Sequence, residues 1–407
     1  MISLPLELIA PLGDFHAAPW ADAIMGVQID SRRIEEGDLF VAIGAGADYR
    51  KHAFARGAAA TLVPEDAFAA LATLGGAVRE RSRARFVAIT GSMGKTSTKD
   101  ILAAICTAQA RTVAAERSYN NEIGVPLTLC RVDPDTEIVI LELAMRGFGQ
   151  IAELCAFARP DVGVITMIAP VHLEQVGTVE GVIRAKSELI EALPPGGIAV
   201  VPSDFAVGRD DLDVVRVGED VRLVSFEPPH LETSLGTFEV NITPRHLAQA
   251  ALTAVATAHA LGLRIPERVD VAFAEWRNQE LPLPGGGMLI NDAWNANPLS
   301  MRAALEHLTE VAAGRRRVAV LGGMAELGDY ADEGHREVAR AVQDVGVDLL
   351  ISVGAQARVY GGRRVEDADA AIALLRDVLE PGDCVLVKGA RVLGLERVAE
   401  SLAGVPA

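Results

Sequence analysis

The sequence predicts an α/β protein of three domains. From residue 86 to about residue 263, short apolar runs alternate with segments of helical periodicity, which is typical of a parallel sheet flanked by helices. The alternation begins again at Met288. A chain of 407 residues is also longer than one hydrophobic core usually supports. We therefore expect a small α/β N-terminal domain at residues 1–82, a central parallel-sheet domain at residues 83–274 and a C-terminal Rossmann-like domain at residues 275–407.

The strands of the two larger domains are predicted from their apolar runs. These runs occupy residues 86–89, 138–141, 162–167 and 198–201 in the central domain, and residues 288–290, 318–321, 349–353 and 384–388 in the C-terminal domain. Helices are expected from Ser300 and through His335. Residues 1–82 hold shorter apolar stretches and end in the basic tract RERSRAR, which we interpret as a linker. The tract ELPLPGGGM indicates a second boundary, or a loop just inside one.

Composition and charge exclude several classes of protein. The net charge of −17 disfavours a broad nucleic-acid footprint, and no apolar window is long enough for a membrane span. The N-terminus lacks the basic segment of a signal peptide, so we expect a cytoplasmic protein, and we expect a monomer. The cysteines show no CxxC pairing and are interpreted as small buried hydrophobic residues: Cys106, Cys130, Cys155 and Cys384.

A glycine-rich loop between a predicted strand and a predicted helix is the first candidate for chemistry. The segment TGSMGKTS lacks the first glycine of the strict P-loop motif, because Ile89 stands at that position. A helix that opens at Lys95 would still direct free backbone N–H groups at an anion. Lys95 could reach terminal phosphates, and the Thr96 hydroxyl could bind magnesium. The alternative is an ordinary glycine-rich turn with a solvated lysine.

Two further candidates follow neighbouring predicted strands. Glu142 ends the run EIVILE, where a carboxylate could complete a magnesium site beside bound phosphates. His172 follows the run VGVITMI, so it is also expected at the carboxyl end of a strand. The alternatives are an ordinary strand-terminal charge for Glu142, and a surface or hydrogen-bonded histidine for His172.

Lys186 lies within the apolar stripe of a predicted helix. Its neighbours three and four positions away are apolar: Val182, Ile183, Leu189 and Ile190. A desolvated lysine has a lowered pKa and can act as a nucleophilic amine. The alternative is a side chain whose stem covers the core while its ammonium reaches solvent.

Polar loops follow three of the strands predicted in the C-terminal domain. The segment NDAWNANP supplies Asp292, Asn295 and Asn297, and Pro298 is expected to open the next helix. The segments LGGMAELGD and LVKGAR follow two other strands. Loops at one edge of a parallel sheet predict a ligand crevice. An Asx-rich turn with a capping role is the alternative for the first loop.

These stretches, in this order, resemble the Mur ligase family of peptidoglycan synthesis. The family-wide features are TGSMGKTS, NNEIGVPLTL, Glu142, HLE at His172 and RAKSEL around Lys186. The segments DAWNANPLSM, GGMAELGD and VKGAR resemble the branch that adds D-alanyl-D-alanine. The resemblance implies a P-loop ATPase-like central domain, between an N-terminal UDP-binding domain and a C-terminal dipeptide-binding domain. It also implies an ATP-dependent ligase that joins UDP-N-acetylmuramoyl-tripeptide to D-alanyl-D-alanine through an acyl phosphate.

The resemblance also implies roles for individual residues. The ATP phosphate loop would comprise Thr90, Gly91, Ser92, Met93, Gly94, Lys95, Thr96 and Ser97, with Arg277 and Asp292 near the ribose and phosphates. Two magnesium ions would be held by Thr96, Glu142, His172 and carbamylated Lys186. Lys95 would act with the last three in catalysis. Substrates would be bound by Ser31 and Arg32 (UDP), Asn120 and Asn121 (acceptor) and Asn295 and Asn297 (dipeptide).

The chain departs from the family pattern at several positions near the expected ligands. Gly323 replaces the usual aspartate, Ala390 a serine, Trp294 a tyrosine and Ala250 an asparagine near adenine, and MRGFGQ replaces an Asn-His version. Three alternative functions remain open. They are a sister ligase, a folylpolyglutamate synthase-like ligase and a catalytically silent nucleotide-binding homologue. The segment Asn-Ala-Asn-Pro at Asn295 counts against the sister ligase that adds the third amino acid, which typically carries Asp-Asn-Pro-Arg there.

Overall fold

The computed structural model describes residues 1–170 and 173–404. They divide into two compact units. The first comprises Met1–Met167, Arg184–Asn241 and Gln249–Ala272, and the second comprises Ile168–Ile183, Ile242–Ala248 and Phe273–Ala407. The first unit contains both the N-terminal sheet and the central sheet, and the second contains the C-terminal sheet. The boundaries proposed from the sequence at residues 82 and 274 remain predictions.

The N-terminal segment forms two small sheets. Its elements are β1 (Leu4–Pro5), α1 (Leu6–Ile9), β2 (Gly13–Ala17), β3 (Ala23–Ile24), β4 (Gly26–Gln28), β5 (Asp38–Val41), α2 (Arg50–Ala55), β6 (Ala60–Pro64) and α3 (Ala67–Arg81). β1 pairs with β3, and the larger sheet has the order β2-β6-β5-β4. The tract RERSRAR is mostly not a linker, because α3 continues to Arg81 and the next strand begins at Arg85.

The central sheet is six-stranded and entirely parallel, in the order β12-β11-β10-β7-β9-β8. Its elements are β7 (Arg85–Thr90), α4 (Lys95–Thr107), β8 (Thr112–Ala114), α5 (Gly124–Leu129), β9 (Ile138–Glu142), α6 (Gln150–Ala158), β10 (Val162–Ile165), α7 (Leu173–Val176), α8 (Val179–Glu191), β11 (Ile198–Pro202) and β12 (Asp213–Val217). The four predicted strands are all present. β10 ends two residues before the predicted end, since Thr166 and Met167 turn to bond the loop after β7.

The chain then forms a small sheet that the sequence did not predict. Its elements are β13 (Leu223–Glu227), β14 (His230–Thr233), β15 (Gly236–Val240), α9 (Ala248–Ala260) and β16 (Arg268–Val269), with the strands in numerical order. In β13, Ser225 and Glu227 interrupt the apolar residues and only Phe226 is buried, so the strand lacks a continuous apolar run.

The C-terminal sheet is also six-stranded, in the order β17-β18-β22-β19-β20-β21. Its elements are β17 (Gln279–Leu283), β18 (Gly287–Asp292), α10 (Pro298–Ala312), β19 (Arg317–Gly322), α11 (Ala331–Asp344), β20 (Leu349–Val353), β21 (Arg363–Val365), α12 (Ala368–Val378), β22 (Cys384–Lys388) and α13 (Glu396–Ala403). The tract ELPLPGGGM lies within the second unit, shortly after the point where that unit resumes at Phe273. It is a hairpin in which β17 pairs antiparallel with β18, and Gly285 and Gly286 turn the chain with φ of 86° and 85°.

Two compositional expectations can be compared with the structure. All four cysteines are buried and unpaired, and burial raises the pKa of Cys106, Cys130 and Cys155 to about 12. Among the described residues, no helix is long and apolar enough to cross a membrane.

Candidate active site

The loop between β7 and α4 has the geometry of an anion site. Gly94 adopts φ of 80° and precedes α4, whose first turn carries no acidic residue. A Cβ atom at Gly91 would lie 1.9 Å from the Thr166 hydroxyl oxygen, so only glycine lets β7 and the end of β10 approach this closely. Within the described chain no side chain caps the start of α4. A helix start of this kind, after a glycine in the left-handed region, is suited to an anion.

Lys95 and Thr96 begin α4, as predicted. The Lys95 ammonium donates a 2.8 Å hydrogen bond to the Gly91 backbone oxygen, which folds the side chain back over its own loop. The loop is further fixed by the Thr166 hydroxyl, which donates to the Met93 backbone oxygen. Ser92 also donates its backbone N–H to the Met167 oxygen at 2.8 Å. The loop is thus tied to the ends of two neighbouring strands.

Glu142 lies at the carboxyl end of β9, paired in register with Ile89 of β7. Its side chain is buried, with 1% of the residue exposed. Asn120 donates a 2.7 Å hydrogen bond to Oε1, whereas Oε2 has no hydrogen-bond partner in residues 1–170 and 173–404. A buried carboxylate oxygen without a donor is costly. The hard oxygen that it presents fits a magnesium ion.

Lys186 is buried in α8, with 1% of the residue exposed. Burial, and secondarily the positive charge of Lys95, lower the pKa of Lys186 well below its usual value. The alternative in which the ammonium reaches solvent is therefore wrong. One neighbour differs from expectation, since Ile183 is 37% exposed. The neutral amine is the form that reacts with carbon dioxide, and a lowered pKa makes that form more accessible.

The predicted metal ligands lie only partly within the described chain. His172 is outside the described residues, so its predicted role stays a prediction. Among the residues that the structure describes, no group of three histidine, cysteine, aspartate or glutamate side chains is arranged to hold a metal. The predicted set also uses a hydroxyl and a modified lysine, and Thr96, Glu142 and Lys186 are all buried in the first unit.

A cavity of about 1070 Å³ lies in the first unit, between the N-terminal sheet and the segment after β8. Its lining includes Ser31 and Arg32, as well as residues that the sequence did not indicate: Arg33, His52, Glu116, Tyr119 and Arg131. Ser31 Oγ lies 3.0 Å from His52 Nδ1. The Arg32 hydrogen bonds lower the pKa of Asp30 to about 2.

Three arginines therefore line the cavity, and one carboxylate orients two of them. Glu116 lies 3.4 Å from Arg33 and 3.4 Å from Arg131. Guanidinium groups gathered in this way suit a phosphorylated ligand. Arg33 and Glu116 are 83 residues apart in the sequence, so no local motif could reveal their association.

The two predicted acceptor-binding asparagines have different environments. Asn120 bonds Glu142, and its backbone oxygen accepts a 2.8 Å hydrogen bond from the Ala144 N–H. Asn121 Oδ1 accepts hydrogen bonds from the backbone N–H groups of Ile123 and Gly124, at 3.3 and 3.0 Å. The Asn121 side chain thus bonds the backbone just before and at the first residue of α5, and a role in binding substrate remains a prediction.

In the second unit, Asp292 and Lys388 form a buried ion pair at the ends of β18 and β22. Lys388 also donates a 3.0 Å hydrogen bond to the Asn295 backbone oxygen. Asn297 forms a capping box with Ser300 at the start of α10, so the capping role considered for this loop is present. Both asparagines lie beside Asp292 in the chain, and binding of a dipeptide by them stays a prediction.

Aromatic and basic side chains cluster beside Asp292. The rings of Trp276 and Trp294 stack with centroids 5.9 Å apart, and the Arg391 guanidinium lies 4.5 Å from the first ring and 5.3 Å from the second. Arg277 lies 5.7 Å from the Trp294 centroid. The tryptophan that replaces the usual tyrosine is therefore a stacking platform for two arginines.

Two other departures have visible neighbours. A Cβ atom at Gly323 would lie 2.9 Å from Gln356, which occupies the space that a larger residue would need. Ala250 is buried, and its Cβ atom lies 3.9 Å from the position of a Cβ atom at Gly94.

A buried histidine, His246, lies in the second unit. Burial lowers its pKa to about 4.

The parallel central sheet, with a glycine-rich loop between its central strand and the next helix, is the arrangement typical of the P-loop nucleotide-binding class of enzymes. The profile of the Mur ligase middle domain matches residues 89–258, and that of the Mur ligase glutamate ligase domain matches residues 276–391. The chain is 34% identical to UDP-N-acetylmuramoyl-tripeptide--D-alanyl-D-alanine ligase of Mycobacterium tuberculosis, over 92% of this chain and 91% of the relative.

Two solved structures share the fold. A crystal structure of MurF from Acinetobacter baumannii superposes with a TM-score of 0.84 and 26% identity, covering 99% of both chains. The MurF ligase from Thermotoga maritima, in complex with ADP, gives a TM-score of 0.78 at 24% identity, covering 93% of this chain and 97% of that one. The second similarity is evidence of the fold alone.

The chain belongs to the Mur ligase family, and within it to the branch of D-alanyl-D-alanine-adding ligases. The three-domain α/β fold, the family and the enzyme class predicted from the sequence, an ATP-dependent ligase, are thereby confirmed. The roles of the individual site residues are not decided by family membership.

Proposed function

We propose that this chain joins the terminal carboxylate of UDP-N-acetylmuramoyl-tripeptide to the amine of D-alanyl-D-alanine, with ATP as the phosphoryl donor. The observation that carries the proposal lies in the first unit. There, a glycine-rich loop at the start of α4, the buried Glu142 with an unpartnered oxygen, and the buried Lys186 accompany a cavity lined by arginines. A carboxylate is a poor electrophile, and phosphorylation converts it into a reactive acyl phosphate.

The reaction has two steps. The terminal carboxylate attacks the γ-phosphorus of ATP, giving an acyl phosphate and ADP. The amine of the dipeptide then attacks the acyl carbon, and the tetrahedral intermediate loses inorganic phosphate and a proton to leave the amide. Both steps develop negative charge on oxygen, so preorganised cations and N–H donors favour them.

The chain's own groups have distinct tasks in this scheme. The N–H groups at the start of α4 and the Lys95 ammonium bind the ATP phosphates. Two magnesium ions would be held by Thr96, Glu142, His172 and Lys186, and would supply neutralisation of phosphate charge. For Lys186 this requires carbamylation, which converts a neutral buried amine into an anionic oxygen ligand. The low pKa of Lys186 supports that proposal.

The remaining assignments concern the substrates. The cavity with Ser31, Arg32 and the Glu116-oriented arginines would bind the UDP portion. Asn120 and Asn121 would face the acceptor. From the family resemblance, Arg277 and Asp292 would contact the ATP ribose and phosphates, and Asn295 and Asn297 the dipeptide. A cytoplasmic monomer without nucleic-acid partners fits small, charged substrates and the acidic composition.

The test is phosphate release from ATP in the presence of UDP-N-acetylmuramoyl-tripeptide, with and without D-alanyl-D-alanine. We expect release only when all three are present, and a product whose mass includes the dipeptide. Protein that binds ADP but releases no phosphate would indicate the silent homologue. Release with a free amino acid and a shorter acceptor, or with glutamate and a folate, would indicate one of the two alternative ligases.

A further inference from the structure

Lys99 is a buried cation that the proposed reaction does not use. It lies one helical turn after Lys95 on α4, and only 2% of the residue is exposed. Its ammonium donates hydrogen bonds to the backbone oxygens of Ala115, at 2.8 Å, and Arg117, at 2.9 Å. It also pairs with Asp100 at 2.8 Å. A buried ammonium is tolerated when its donors are satisfied, and two of these partners lie on a different segment of the chain.

The segment held by Lys99 connects β8 to α5 and contains a tight turn at residues 116–119. Tyr119 closes this turn by donating its N–H to the Glu116 oxygen at 3.0 Å. Arg117, within it, adopts φ of 48°, in the left-handed region that non-glycine residues rarely occupy because their Cβ atom crowds the backbone there. A turn with such a residue needs outside contacts to keep its shape, and the bond from Lys99 to the Arg117 oxygen is one of them.

The part of the segment between the turn and α5 is fixed by contacts of its own. A Cβ atom at Gly124 would lie 2.5 Å from the Tyr119 Cα atom, so α5 begins in direct contact with the turn. Asn120 accepts from Ala144 and donates to Glu142. The end of the segment is therefore held against β9. The Arg117 carbonyl is held by Lys99 of α4.

The turn carries two residues that line the arginine-rich cavity, Glu116 and Tyr119. Glu116 in turn lies within 3.4 Å of Arg33 and of Arg131. A shift of the turn would therefore move a tyrosine ring and the carboxylate that orients two guanidinium groups.

We propose that Lys99 is a positioning residue for the nucleoside-diphosphate-linked substrate. By holding the turn at residues 116–119 on α4, it fixes Glu116 and Tyr119, and through Glu116 the two arginines, relative to the phosphate-binding loop. This inference rests on the proposed function, in which the cavity binds the UDP portion. The buried Lys99 ammonium thus connects α4, which binds ATP in the proposed reaction, to the cavity that binds the other substrate.

The test compares Lys99→Met with the wild-type chain. Titration calorimetry measures the Kd of UDP-N-acetylmuramoyl-tripeptide and, separately, the Kd of ADP. Losing the hydrogen bonds that hold the turn should weaken binding of the UDP-linked substrate at least about tenfold, and raise its KM correspondingly. The Kd of ADP should change by less than about twofold, because the loop before Lys95 keeps its own bonds. Lys99→Gln, which keeps a shorter donor, should give an intermediate loss.

Arg79→Met is the matched control. Arg79 is also a largely buried cation that donates to backbone oxygens of another segment, those of Ala158 and Arg159, but it is not among the residues that line the cavity. Its replacement should lower the melting temperature without changing the Kd of the UDP-linked substrate. Equal weakening in both variants would overturn the inference, because the effect would then arise from general destabilisation.

Other outcomes separate this inference from the proposed function. Unchanged substrate binding by Lys99→Met, with wild type active, would refute the inference alone. Loss of ADP and substrate binding in equal measure would also refute it, since Lys99 would then only support the helix. A wild-type protein that binds no UDP-linked substrate would refute the proposed function instead.

Discussion

Replacing Glu142 by glutamine separates the contribution of this residue to activity from its contribution to stability. Glutamine has the same shape, and its amide oxygen could still accept the hydrogen bond from Asn120. The substitution removes a buried negative charge whose Oε2 atom has no hydrogen-bond partner in the described chain. A magnesium ion bound there would lose an anionic ligand.

The two effects should differ in size. Without ligands, Glu142→Gln should melt within about 2–4 °C of wild type, which for a unit of this size corresponds to about 1 kcal/mol. The reason is that the substitution exchanges an unpartnered carboxylate oxygen for an unpartnered amide group at the same place. Activity should fall by about 100-fold or more, since one group that stabilises transition-state charge is lost.

The assay measures phosphate release and the thermal melt of the same preparations, with Glu137→Gln as the control. Glu137 is an exposed carboxylate immediately before β9 that accepts the Arg111 N–H at 3.0 Å. The control should leave kcat and KM unchanged. A Glu142→Gln variant that keeps full activity, or one that melts well below wild type while inactive, would refute the reasoning.

Three other variants test the remaining parts of the site. Lys186→Ala should lose activity that added magnesium does not restore, whereas short-chain carboxylates should partly restore it; rescue by magnesium alone in the phosphate assay would contradict a carbamate role. Gly91→Ala should weaken ADP binding at least about tenfold, because its Cβ atom would lie 1.9 Å from the Thr166 hydroxyl oxygen. The control is Gly147→Ala, whose Cβ atom would have nothing within 4 Å, and this variant should bind ADP normally. Lys388→Met should lower the free energy of unfolding by about 3–5 kcal/mol, because Asp292 would be left buried and unpaired. Adding Asp292→Asn should recover most of that loss in a denaturant titration, and no recovery would show that the charge pair is not the cause.

Much of the fold can be predicted from local sequence patterns. The strands β7, β9 and β10 are continuous apolar runs because helices cover both faces of a parallel sheet, and such runs stand out from their surroundings. The helix start at Lys95 was predictable because glycines and the hydroxyl residues after them disfavour continuing the strand. β17 is not apparent from the sequence because Pro282 within it, together with Pro284 and the glycines after it, indicates a boundary. Proline is nevertheless tolerated on an edge strand.

Site residues could be predicted where a single segment of the sequence marks them. They could not be predicted where the site forms between segments that are distant in the sequence. Glu142 and Lys186 were indicated by a charge at the end of an apolar run and within an apolar stripe. The cavity residues His52, Glu116 and Arg131 belong to polar segments with no shared pattern, and only the tertiary fold brings them together.

Lys99 illustrates the same limit within a single helix. Its segment, KTSTKD, is polar throughout, so periodicity gives no sign that its side chain is buried. Asn297 shows the converse. Its place in a polar loop suggested a ligand contact, and the structure adds a capping box that accounts for the side chain locally.

The transfer of one oxygen atom tests the central claim most directly. UDP-N-acetylmuramoyl-tripeptide labelled with ¹⁸O at both oxygens of its terminal carboxylate is incubated with the protein, ATP and D-alanyl-D-alanine. If an acyl phosphate forms, the released phosphate carries one labelled oxygen and the new amide carbonyl retains the other. Phosphate released without label, or labelled carboxylate recovered unchanged with no amide formed, would contradict the account.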